Sequence, residues 1–135
     1  MKKLLFIVVC CLFLVGCNDN SEEKNNNSYT CIKVDTSPIK GTISVISEIS
    51  IECNNNIISK ASGEIVYSYY SYDDALAGEK QLLQKNIYNK CSVERGETDI
   101  GILTCYNELD ISNTNKCDEY KSYITSNGYA CEIVK

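Results

Sequence analysis

Six cysteines, Cys31, Cys53, Cys91, Cys105, Cys117 and Cys131, are spread over the C-terminal three quarters of this chain, and the closest neighbours, Cys105 and Cys117, are twelve positions apart. The chain has no Trp and only 9% aromatic residues, so the means of building a large core are limited. An even set of well-separated cysteines then reads as a disulfide framework, each bridge contributing ~2–4 kcal/mol mainly by restricting the unfolded chain. No CxxC spacing occurs among the six, so neither a zinc site nor a redox-active dithiol is expected. Six cysteines allow fifteen pairings. The pairing expected here is Cys91 with Cys105 across a hairpin and Cys31 with Cys131 joining the chain ends, which leaves Cys53 with Cys117.

The chain's 135 residues suit a single ordinary domain. It contains no His, which removes Ser-His-Asp and Cys-His nucleophilic sites, His-ligated zinc and any His general base.

The other three of the nine cysteines lie near the N-terminus. Met1-Lys2-Lys3 is a short positive region, followed by an apolar run from Leu4 to Val15 that contains Cys10 and Cys11. That is the pattern of a secretory signal, and the run is short of the ~20 residues that a membrane-spanning helix needs. Leu14-Val15-Gly16-Cys17 resembles the lipobox of bacterial lipoproteins. The resemblance implies cleavage before Cys17 and a diacylglycerol on its sulfur, with further acylation giving two or more chains, enough for a firm anchor. Loss of residues 1–16 removes two of the 13 basic side chains and leaves 11 against 18 acidic ones, a net charge of −7. Such a charge argues against nucleic acid and against docking on anionic head groups. It suits a cationic partner, and it also simply favours solubility.

Residues 17–28 form the lipid site and a polar tether, Asn18 to Ser28, with an r.m.s. reach of roughly 20 Å and about 40 Å when extended. The domain is expected over 29–135. Tyr29 to Asp35 reads as a strand, Thr36 to Gly41 as a turn, and Ile43, Val45, Ile49, Ile51 and Cys53 alternate with polar residues as a half-buried strand in which Ile46 is the exception. Asn54-Asn55-Asn56 reverses the chain into a long strand, Ile57 to Tyr70, with a bulge or bend at Gly63. Ser71 and Asp74 form a capping-box-like start to a helix over 73–88, in which Gly78 is unfavourable by ~1 kcal/mol relative to Ala. A hairpin follows, from Cys91 to Glu94 and Asp99 to Tyr106. Asn115 is expected to cap a shorter helix that ends at Asn127-Gly128, before a last strand from Tyr129 to Val134. The order β-β-β-α-β-β-α-β with hairpin connections predicts α+β, an antiparallel sheet covered by one or two helices.

Several of these features are shared with a known group. The lipobox, the Tyr29-Thr30-Cys31 opening strand, the long hairpin, the Tyr72-Asp73 helix start and the Gly128-Tyr129-Ala130-Cys131 ending resemble the small bacterial lipoproteins of the YehR-like type, over about residues 29–135. The resemblance implies an envelope location and carries no catalytic residues. Cys53, Cys105 and Cys117 depart from that group's pattern.

Few arrangements suggest chemistry. Ser37-Pro38-Ile39-Lys40 matches S-x-x-K, but its Pro and the following Gly41 place it in a turn, and Ser21-Glu22-Glu23-Lys24 matches by chance. The carboxylates Asp73 and Asp74 suit a helix N-terminus, and Glu94, Glu97 and Asp99 a solvated hairpin tip. Four tyrosines are more suggestive. Strand alternation would put Tyr67 and Tyr69 on one face and Tyr70 and Tyr72 on the other, so that one pair completes the core and the other contacts a protein or glycan. The plainer expectation is that the helix over 73–88 or the last strand covers them.

The sequence thus predicts a lipid-anchored module on the extracytoplasmic face of a cell membrane or outer envelope. It is expected to act by binding or in envelope maintenance, without enzymatic activity, cofactor or metal. The alternative is an inhibitor or sequestering protein for a cationic partner such as a lysozyme-like enzyme or an antimicrobial peptide.

Overall fold

The computed structural model describes residues 26–36, 39–111 and 115–134. Residues 1–25, with Cys17 and most of the tether, and Ser37-Pro38 of the S-x-x-K match lie outside the described residues. Six strands form one antiparallel sheet: β1 (Ser28–Asp35), β2 (Thr42–Asn54), β3 (Ile57–Tyr69), β4 (Lys90–Arg95), β5 (Gly101–Glu108) and β6 (Ala130–Val134). Two helices, α1 (Tyr72–Gln84) between β3 and β4 and α2 (Cys117–Ser126) between β5 and β6, complete an α+β architecture.

The strands do not lie in the order in which the chain makes them. Across the sheet they run β4-β5-β3-β2-β1-β6. The long β2–β3 hairpin occupies the centre and closes through a two-residue loop. Asn55 and Asn56 both take positive φ, 51° and 61°, and Asn54 pairs with Ile57, the geometry of a two-residue type I′ turn in which Asn is well tolerated.

Two irregularities interrupt this hairpin, between Thr42 and Ser44 and between Glu52 and Cys53. The first explains why Ile43, expected inside, is exposed. Gly63 is not a bulge: it pairs in register with Ile49 on one side and Asn107 on the other. A side chain at 63 would instead meet Leu109, which lies over the sheet at that point.

Both helices cover the same face. Ala61 and Tyr67 of β3 are six positions apart with no irregularity between them, so their side chains point the same way. Ala61 belongs to the cluster that α2 closes, with Tyr29, Cys31, Ile51, Cys117 and Ile124. Tyr67 belongs to the cluster under α1, with Ala75, Leu103 and Cys105. The core is therefore two small patches side by side, and cysteines supply part of each.

The helix ends depart from expectation in an instructive way. Ser71 caps α1 as its sequence suggests, accepting from the Asp74 amide at 3.1 Å while its hydroxyl donates to the Asp74 carboxylate at 2.7 Å. The helix stops at Gln84 and not at 88, because Asn86 turns left-handed with φ 50° and its amide closes back on Leu83. Asn115 does not cap α2. Its carbonyl accepts from the Ile58 amide, and the cap comes from Asn56 in the β2–β3 turn, whose side-chain oxygen accepts from the Asp118 amide at 3.1 Å and whose carbonyl accepts from the Cys117 amide at 2.9 Å. The C-terminal end follows the sequence. Gly128 has φ 88°, its amide donates to Thr125, and that of Tyr129 donates to Ile124 at 3.4 Å.

The three bridges join Cys31 to Cys131, Cys53 to Cys117 and Cys91 to Cys105, the pairing expected from the sequence. Cys31 and Cys131 are directly opposite on β1 and β6, and Cys91 and Cys105 directly opposite on β4 and β5. Each edge strand is thus crosslinked to its inner neighbour. The third bridge fastens the N-terminus of α2 to the end of the central hairpin.

Because α2 buries only Cys117 and Ile124 of its own side chains, the double variant Cys53→Ala, Cys117→Ala should loosen it selectively. Hydrogen exchange should show α2 amides exchanging at least about tenfold faster while the β2–β3 ladder stays protected. Uniform loss of protection would show that the bridge holds the whole domain and not the helix.

Candidate functional site

The four tyrosines are divided by their elements, not by strand alternation alone. Tyr67 is buried and Tyr69 half-buried beneath α1, on one face as expected. Strand β3 ends at Tyr69, however, so Tyr70 and Tyr72 do not form a second strand pair. Tyr70 is 68% exposed in the connection, and Tyr72 is the first residue of α1, with the Arg95 guanidinium 4.4 Å from its ring centroid. Of this second pair Tyr70 is the exposed member and Tyr72 is half-buried.

Tyr67 instead makes a buried polar link that the sequence did not suggest. Its hydroxyl lies 2.9 Å from that of Tyr88, which reaches it because the chain leaves α1 early at Asn86. Burial first, and then the Tyr88 hydroxyl, push the Tyr67 phenol well above its ordinary value of 10.0. Tyr69 is pushed up by burial and by the neighbouring Asp74 carboxylate. Its hydroxyl occupies the space that a side chain at Gly78 would need, which explains a glycine inside α1. Lys40 of the S-x-x-K match lines a hollow of about 420 Å³ with Tyr69, Asp74 and Gly78.

With both helices on one face, the opposite face of the sheet is covered by no element among the described residues. Register aligns its side chains into rows across the strands. One row runs Val34, Ile46, Val66, Thr104, Ser92 from β1 to β4. The next runs Ile32, Glu48, Glu64, Tyr106, Lys90. Val34 is 57% exposed, Ile46 38%, Ile32 41% and Tyr106 43%. Ile46, the exception to the alternation of β2, is thus the middle of an apolar strip facing solvent.

Beside the strip lies a basin of about 400 Å³ lined by Glu48, Glu64, Glu108, Lys60 and Tyr106 among others. Glu48 and Glu64 are direct cross-strand partners, an arrangement of like charges that destabilises a sheet. Lys60 faces Glu52 across the same hairpin at 3.9 Å. On the covered side, a smaller apolar hollow of about 240 Å³ opens between the two core patches, between Tyr88 and Tyr129 and over Ile49 and Ile65. No group of three or more Cys, Asp or Glu among the described residues is placed to hold a metal ion, and none of the described helices is long and apolar enough to cross a membrane.

Two outcomes follow from the tyrosines. Above about pH 10 the unfolded chain releases the Tyr67 proton while the folded chain keeps it, so this contribution to stability is fully present below pH 10 and is lost as pH rises beyond it. Denaturant unfolding should therefore show stability falling in alkali, with a shallower fall for Tyr67→Phe; equal slopes would contradict the buried link. Gly78→Ala should destabilise despite the ~1 kcal/mol that Ala contributes to a helix, and in a Tyr69→Ala background the same change should stabilise. Stabilisation in both backgrounds would show that Tyr69 does not need the space.

Compared with protein-family models, curated proteins and solved structures, the chain matches none.

Proposed function

We propose that this chain is a lipid-anchored, extracytoplasmic binding module without enzymatic activity, held at a membrane surface through Cys17 and presenting the open face of its sheet as the contact surface. The observation that carries the reading is the one-sided architecture. All three disulfides and both helices serve the covered face or its edges, leaving a crosslinked, solvent-facing sheet with an apolar strip of Val34, Ile46 and Val66. An apolar strip rimmed by polar groups is a feature of interaction surfaces.

The anchor follows from the lipobox-like Leu14-Val15-Gly16-Cys17, and the disulfides agree with an oxidising compartment. The resemblance to YehR-like lipoproteins points to the same surroundings. A glycoside hydrolase would need two carboxylates facing an enclosed sugar site. Glu48 and Glu64 are cross-strand partners lining one basin, and they stand on an open sheet face, which favours binding over catalysis.

Intact mass of the membrane-extracted protein, alkylated with and without prior reduction, tests the anchor and the compartment together. The expected product begins at an acylated Cys17 and takes up alkyl groups only after reduction, six in all. A product that retains residues 1–16, or that is alkylated without reduction, would overturn the reading.

A further inference from the structure

We propose that the open sheet face binds a cationic amphipathic protein segment, one in which Lys or Arg side chains flank apolar ones. This rests on the reading of that face as the contact surface and adds the chemistry of the partner. The apolar row of Val34, Ile46 and Val66 crosses three adjacent strands, so at about 4.8 Å per strand it offers a continuous strip about 10 Å long to apolar side chains.

Charge selects what must flank them. By strand alternation the open face carries six glutamates, at positions 48, 52, 64, 94, 108 and 132, against Lys60 and Lys90. The remaining described residues hold nine acidic and seven basic side chains, so most of the negative excess among the described residues stands on this one face.

The arrangement at its centre has the same sign. Glu48 and Glu64 oppose each other directly, and Lys60, the ammonium of the basin, is 3.9 Å from Glu52. An ammonium or guanidinium placed between Glu48 and Glu64 relieves their repulsion, a gain that no neutral or acidic partner supplies. Tyr106 follows Glu64 in the same row and gives such a cation an aromatic neighbour. Neither lysine opposes the Glu48–Glu64 pair: Lys60, which lines the basin, faces Glu52, and Lys90 lies on the edge strand β4, separated from Glu64 by Tyr106.

The test uses the oxidised full-length chain in neutral detergent, with binding to empty micelles subtracted. Fluorescence anisotropy follows three labelled peptides of equal length, built from Leu and Lys, Leu and Glu, or Leu and Ser, and competition by the neutral oligosaccharide chitotetraose. The Leu–Lys peptide should bind, and at least about tenfold more weakly when salt is raised far enough to shrink the Debye length from about 30 Å to about 3 Å. Glu48→Gln with Glu64→Gln should weaken it at least about tenfold, as should Ile46→Ser with Val66→Ser. Asp118→Asn with Glu119→Gln on α2 removes equal charge from the covered side and should leave binding unchanged.

Binding that Asp118→Asn with Glu119→Gln weakens as much as the Glu48–Glu64 pair does would reduce the effect to net charge and overturn the proposal. Tighter binding of the Leu–Glu or Leu–Ser peptide, or displacement by chitotetraose, lost in Ile46→Ser with Val66→Ser, would overturn the cationic preference and leave the face a contact surface. No binding of any probe would overturn both readings.

Discussion

The division of this sheet into a dry face and a wet face depends on register, and register is fixed at both edges by covalent bonds between directly opposed residues. Side chains alternate with a period of two, so a slip of one position in β4 or β6 would turn its inward residues out. Those strands are short, six and five residues, and each has a single neighbour. Backbone pairing on one side alone defines register weakly at that length. Cys91–Cys105 and Cys31–Cys131 permit only one alignment, and Cys53–Cys117 does the same for the position of α2 over the central hairpin.

What lies between these fixed points is sparse. The buried side chains fall into two clusters, one under each helix, with Leu109 and Gly63 at the seam. Neither cluster is large, and the polar Tyr67–Tyr88 link closes one of them where an aliphatic pair would serve a larger core. The surface ion pairs, Lys60–Glu52, Arg95–Asp99 and Lys116–Glu119, are all well exposed and contribute little. Glycine is used for close approach: a side chain at Gly101 would run into Ala75 and the backbone of Ser71 and Tyr72, where α1 begins against β5.

Features carried by local pattern were legible in the sequence. The alternation of β2, the Asn54–Asn56 reversal, the Ser71 cap and the Gly128 stop each involve residues within a few positions of one another. The features that were missed are non-local. Asn56 caps a helix that begins 61 positions later, and nothing near Asn115 signals that its own side chain is not the cap. The insertion of β5 between β3 and β4 is a choice among pairings that propensity does not rank. Asn86 and Tyr72 fail for a different reason, since one residue's backbone conformation ended a helix early and one residue's helical start ended an alternation. The open face was hidden by its own regularity. Its even-numbered residues look like ordinary solvent-facing positions until register places Val34, Ile46 and Val66 side by side; Ile46 alone was a visible irregularity.

The burial of the sulfurs has a chemical consequence. Cys31 and Cys105 have no exposed surface, and Cys117 and Cys53 are buried beneath α2 and the hairpin end. Thiol–disulfide exchange requires a thiolate to reach a sulfur along the S–S axis, so Cys53–Cys117, buried at both ends, is reached only after the covering layer has opened, whereas the other two bridges each have a half-buried partner, Cys91 or Cys131. The lifetime of the Cys53–Cys117 bridge in a medium containing small thiols is then governed by how often the helix layer lifts, not by the reductant's strength. A protein built this way keeps the crosslink that holds α2 for as long as that helix stays folded onto the sheet, whichever of the more accessible bridges is reduced first.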